Sequence, residues 1–169
     1  MNELIKQIAH WSIDRNLHTA NPIKQYDKLI EEHGELVKGL NKGDQEIIKD
    51  SIGDMFVVMT IMMQQIKGDM ELALKLSGFG EGNADTTNYI ETLSILGEKL
   101  KKFMADSTNG GLHSETQAMI SNIIYLLKIT ASENNTDLTT CVQFAYDEIK
   151  DRKGKMIDGK FVKESDTYG

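Results

Sequence analysis

The chain has 169 residues, 40% of them hydrophobic and 27% charged, enough for one packed domain and too apolar for a disordered segment. Nineteen basic residues against 26 acidic ones leave a formal charge of -7, which excludes binding to a nucleic-acid polymer through charge but not a small anionic substrate met through a cation. The one cysteine, Cys141, excludes an intrachain disulfide and a cysteine-built zinc site, and it fits a reducing cytoplasm.

Leu4, Ile5, Ile8, Trp11 and Ile13 recur at helical spacing and predict a first helix over 2–15. It is amphipathic and mixed in charge, so it does not read as a secretion signal. A polar loop at 16–21 leads to Pro22, suited to the first turn of a second helix over 22–40. Asn41, Lys42 and Gly43 turn the chain, and Asp44 caps a third helix over 45–66. The apolar run at 55–63 is too short to span a bilayer, so its methionines read as core and no membrane association is expected. Gly68 and Asp69 open a short helix to Leu76, and Gly78, Gly80, Gly82 and Asn83 form a loop. A fifth helix is expected over 85–104, a loop over 107–111 and a sixth helix over 114–131. Thr136 or Asp137 then caps a seventh helix that continues to 152. The tail alternates around Asp158-Gly159 as a small hairpin would. The fold expected is an all-α helical bundle with a short C-terminal hairpin-like tail.

The chain also echoes itself. Tyr26, Gly34 and Glu35 reappear as Tyr89, Gly97 and Glu98 at the same spacing, and Asp69 falls on Asp137 when the run after Gly53 is laid on that after Ser121. A duplicated helical hairpin explains this. Its second copy has lost acids, since Glu31, Glu32, Asp50 and Asp54 face Ser94, Ile95, Ala118 and Asn122. The expected organisation is one domain over 1–169, with an acid-bearing part at 1–77, a degenerate copy at 84–153 and the tail at 154–169.

Those acids are the most informative feature. Glu31, Glu32 and Glu35 share one side of the second helix, and Asp50 and Asp54 share one side of the third. Two antiparallel neighbours would point these carboxylates at each other. Like charges so placed repel unless a cation lies between them, and an all-oxygen set suits Mg²⁺ or Mn²⁺. Gly34 and Gly53 sit inside these helices, each at ~1 kcal/mol relative to alanine, and are expected to let the two helices approach. The competing reading is a solvated helix face, the usual fate of charged stripes. The four histidines show no ligand spacing, and Ile30 stands where a Glu-x-x-His di-iron site would need its acid.

The segments EEHGE and IGDMFVV resemble the MazG-like, all-α nucleoside triphosphate pyrophosphohydrolases, whose signature is Glu-x-x-Glu followed after a spacer by Glu-x-x-Asp. The opening with Trp11 and Asp14-Arg15-Asn16-Leu17 and the ending AYDEIKDRKGKMIDGKFVKESD resemble short MazG-like proteins of phages and prophages of Gram-positive bacteria. This resemblance implies Mg²⁺-dependent hydrolysis of a nucleoside triphosphate at the α–β linkage to monophosphate and pyrophosphate. It also implies a homodimer or homotetramer. Glu32, Glu35 and Asp54 would hold metal, with Asp50 standing in for the family's second Glu, because Ser51 occupies that position. Glu35 or Glu31 would be the general base. Lys150 and Arg152 would meet phosphate, and Asp147 stands near a position where the family often has Asn. Trp11 and Tyr26 are either base-stacking platforms or core. The alternative function is a non-catalytic helical module binding a nucleotide or a protein partner, which Ser51 favours.

Overall fold

The computed structural model describes residues 1–80, 83–157 and 160–163, with side chains as far as residue 154. Among these residues the chain forms seven α-helices: α1 (Asn2–Asp14), α2 (Pro22–Lys42), α3 (Gln45–Gln65), α4 (Met70–Leu76), α5 (Thr86–Ala105), α6 (Gly110–Glu133) and α7 (Leu138–Ile149). Strands β1 (Gly154–Ile157) and β2 (Lys160–Lys163) pair antiparallel, with Met156 opposite Phe161 and Ile157 opposite Lys160. The Asp158-Gly159 turn, Gly82 and the motif beyond residue 163 lie outside the described residues. The protein is an all-α bundle with a short strand pair, and no described helix is long and apolar enough to cross a membrane.

Short polar side chains set the helix starts. Asn21, Asp44, Asp69, Asp85, Asn109 and Asp137 each accept a hydrogen bond from a backbone N–H of the first turn they precede. Those N–H groups have no partner within the helix, so each cap removes a desolvation cost. Asn109 explains one difference from the sequence expectation. By accepting from the N–H groups of Gly111 and Leu112 at 3.0 and 3.3 Å it starts α6 at Gly110, through a stretch expected to be loop. At the other end of α2, Asn41 and Lys42 are helical rather than turn, and Gly43 at φ +64° closes the helix. Helix α7 ends at Ile149, short of the expected 152.

Apolar side chains from all seven helices form one continuous core. Its centre is α3, which touches α1, α2, α6 and α7. Between Ser51 and Met63 every residue of α3 is buried except the half-buried Asp54. The element order is twice a hairpin followed by a short Asp-capped helix, and the short helices are exchanged: α4 lies on α6, and α7 lies on α3. Across α2 and α5 the echoed tyrosines also reach to opposite sides. The Tyr26 hydroxyl donates to Leu93 O at 2.8 Å, and the Tyr89 ring lies 5.1 Å from that of His33.

The helical glycines act differently from the expectation. A Cβ at Gly53 would press on Cys141 O and lie 2.6 Å from Ala145 Cβ, so this glycine admits α7, not α2. Around Gly34 there is open space. The close approach of α2 to α3 is at Gly39, where a Cβ would stand 2.9 Å from Ile47 Cγ2 and 3.1 Å from the backbone nitrogen of Ile48. Gly34→Ala should therefore stabilise the protein by about 0.5–1 kcal/mol through helix propensity alone. Gly53→Ala should destabilise it by about 1–3 kcal/mol, because its clash is with backbone. Urea denaturation of the two variants checks both signs.

Candidate functional site

Helix α2 buries the side that carries Leu29, Glu32, His33 and Leu36. Glu32 is the anomaly among them, a carboxylate only 2% exposed. Its partner is Lys28, one turn earlier, at 2.5 Å; the same ammonium reaches Glu31 at 3.1 Å. Burial pushes the Glu32 carboxyl up, Lys28 works against this, and the charges of Glu35 and Glu31 add to it. For Lys28 burial works downward, but its bonds and attraction to Glu32 and Glu31 outweigh it and raise the ammonium.

Across the hairpin, Asp54 is strongly perturbed. Burial first, then the charges of Glu32 and Asp50, push its carboxyl up to about 7, against the pull of Arg152 and Lys28. Asp50, one turn before it, is also pushed up by burial and then by Glu148, Glu35 and Glu46, with Arg152 opposing. Its Oδ1 is enclosed without a hydrogen-bond partner. The charges of Glu32 and Glu35 on α2 thus bear on Asp54 and Asp50 of α3 respectively, and those of Glu148 and Arg152 at the end of α7 bear on Asp50 as well. Ser51 is buried, with its hydroxyl unpartnered, and supplies no carboxylate at this position of α3.

Among the described residues no three His, Cys, Asp or Glu side chains converge closely enough to hold a metal ion. The donor set nonetheless fits a hard cation in its chemistry: oxygen only, partly desolvated, mutually repelling, with one enclosed oxygen unpaired. Glu32 is buried, and Asp50 and Asp54 are half-buried. Glu31 and Glu35 are exposed on α2, and Glu31 is held by Lys28.

The remaining expected residues divide. Arg152 reaches the acids and pairs with Glu148 at 3.1 Å. Lys150 stands two residues from Glu148, hence on the far side of the helix end, and binds Asp147 at 2.7 Å. Asp147 also accepts from Gln143, and these bonds hold its carboxyl low. The pair forms an exposed contact of its own. Trp11 is corrected to core: it is 8% exposed, its indole N–H donates to Ile149 O at 2.8 Å, and the Arg15 guanidinium lies over its ring at 4.5 Å. Tyr26 is likewise committed, to Leu93. Sequence reasoning passed over Lys28 and Glu148. Each was signalled by its spacing of four from Glu32 and Arg152 respectively.

Neither a family model nor a solved structure matches the chain. A stretch of 66 residues is 52% identical to a protein of Haemophilus phage HP1 described as an uncharacterized 18.2 kDa protein in the rep-hol intergenic region. The match covers 38% of this chain and 40% of that protein. The likeness is therefore to a phage-encoded protein, over less than half the length of each.

The Asp54 shift has a pH signature. With the folded carboxyl at about 7 and the unfolded one near 3.8, the native state holds the extra proton between these values. Its stabilising contribution is complete below about pH 4 and is lost as pH rises through 7. Asp54→Asn, which keeps the neutral shape, should match the wild type at pH 4. At pH 8, without divalent metal, it should be the more stable, by up to about 4 kcal/mol (about three units at ~1.4 kcal/mol each). Denaturation midpoints at the two pH values in a chelator measure this.

Proposed function

We propose that the chain hydrolyses (deoxy)nucleoside triphosphates to monophosphate and pyrophosphate with Mg²⁺, or Mn²⁺ in its place, as its resemblance to the MazG-like enzymes implies. One observation carries this reading: Asp54, the single ionisable group in the enclosed stretch of α3, faces Glu32 and Asp50 with its charge only partly answered. A set of acids kept under such repulsion marks a functional site more often than a structural one.

Glu32, Asp50 and Asp54, with Glu35 at the rim, would hold the cation. When bound, it would supply charge neutralisation at the phosphate oxygens. Glu35 or Glu31 would take the proton of the attacking water at a carboxylate oxygen. The bond between the α phosphorus and the bridging oxygen breaks, and the charge left on pyrophosphate would meet the guanidinium of Arg152. Lys28 would neutralise Glu32 when no metal is present. The purpose would be to clean or reshape a nucleotide pool, in an assembly of two or four chains.

A second reading, a module that binds a nucleotide or protein partner without turnover, is favoured by two observations. Lys28 already closes on Glu32, and Ser51 contributes no carboxylate. Pyrophosphate release from a panel of nucleoside triphosphates, with Mg²⁺ and then Mn²⁺, separates the two. The catalytic reading expects metal-dependent release with equal monophosphate. Glu35→Gln and Asp54→Asn should each lower it about 100-fold or more with helix content unchanged. No release from any triphosphate would favour the binding module. Wild-type rates in both variants would sink the site assignment.

A further inference from the structure

The opening motif with Trp11 and Arg15 and the closing motif with Arg152 are far apart in sequence, and the proposed chemistry uses only the second. The structure joins them. The Trp11 indole N–H donates to Ile149 O at 2.8 Å, in a buried bond. Arg15 Nη2 donates to Arg152 O at 2.6 Å, and its Nη1 to Trp11 O at 3.3 Å, with the guanidinium stacked over the Trp11 ring. These contacts meet α7 where it stops. Past Ile149, among the described residues, only the N–H groups of Lys150 and Arg152 still reach back, to Tyr146 O and Ile149 O, and a cation is favoured at that end of a helix. Arg152 itself lies past the helix, so no helical turn fixes it. Its anchors are the bond from Arg15 to its carbonyl, its own N–H to Ile149 O at 2.9 Å and its side-chain pair with Glu148. Two of these three run through atoms that α1 holds.

We propose that Arg15, backed by Trp11, is a positioning residue: it clamps the chain just past α7 so that the Arg152 guanidinium stays paired with Glu148 at the end of α7, where it receives an anionic phosphate. The role in substrate binding rests on the triphosphate-hydrolase reading; the clamp itself does not. Among the described residues Arg15 forms no ion pair with an acid of the cluster; its guanidinium donates to the carbonyl oxygens of Trp11 and Arg152 and lies over the Trp11 ring. Any effect it has on substrate is therefore transmitted through Arg152.

The test uses the full chain and two readouts. The first is ¹⁵N relaxation of the Arg152 Nε–H group without metal or nucleotide, its signal assigned by its loss in Arg152→Lys. The second is the KM and kcat for the best triphosphate with Mg²⁺. Arg15→Met removes the clamp's donors, and Trp11→Phe removes only the indole N–H and keeps a ring in the core. Both should lower the order of Arg152 Nε in the metal-free protein. Arg15→Met should raise KM about 10-fold with kcat little changed. Added to Arg152→Ala it should raise KM no further, because the two act as one unit. Unchanged Arg152 order in Arg15→Met, or effects on KM that multiply in the double variant, would overturn the proposal. If the wild type turns over no triphosphate, loss of Arg152 order in the variants still upholds the clamp, and the hydrolase reading alone falls.

Discussion

A carboxylate in the most enclosed part of α3 is the constraint around which the rest is arranged. Asp54 is half-buried between the buried residues Ile52, Gly53, Met55 and Phe56. An isolated charge there would be very costly to desolvate. The fold answers with groups from two other helices. The α2–α3 hairpin, closed tightly at Gly39, brings Lys28, and the approach of α7 over Gly53 brings Arg152, while Glu32 and Glu148 come with them as like charges. Remove either glycine's contact and one side of the charge arrangement loses its support.

The answer is incomplete, and that is the informative part. Lys28 and Arg152 lower the Asp54 carboxyl, but burial, Glu32 and Asp50 outweigh them. An ordinary surface ion pair is symmetric in exposure and contributes little. The Lys28–Glu32 pair is not of that kind: the lysine side chain is 45% exposed and the glutamate 3%. A well-packed apolar pair would have served stability at least as well there. One end of this ion pair is buried, and the charges of Lys28 and Arg152 leave the carboxyls of Asp50 and Asp54 raised.

Much of this was legible in the sequence, for local reasons. Helix periodicity, the Asx caps and the one-sided acids depend on residues within a turn or two of each other. The sequence errors were of reach. Gly53 was paired with the nearest acid-bearing helix because that was the only neighbour sequence could offer, whereas its partner, Cys141, lies on α7. Trp11 carries both a core surface and a polar handle, and only its bond to Ile149 decides between them. Lys150 and Arg152 look alike as charges in a tail; the phase of α7 against α3 separates them. Lys28 and Glu148 were available from i,i+4 spacing, but a charge next to an opposite charge is common on any helix, and what makes them matter is the burial of Glu32 and Asp50.

The second hairpin shows what the same packing looks like without the burden. On α5, Ile95 stands at the echo of Glu32, and an isoleucine asks for no lysine. On α6, Ser121 and Asn122 stand at the echoes of Gly53 and Asp54. There α4 takes the place that α7 takes on α3, yet the nearby cation does different work. Lys128 donates to Ser77 Oγ at 2.7 Å and approaches Leu74 O at 3.5 Å, closing the end of α4, and burial holds its ammonium low. One lysine is spent on a helix end, the other on a buried acid. Both hairpins are followed by a short Asp-capped helix, and only the first carries acids at the positions of Glu32, Asp50 and Asp54. The α5–α6 hairpin packs with Ile95 and Asn122 at the positions that echo Glu32 and Asp54, so a helical hairpin of this kind does not need acids there.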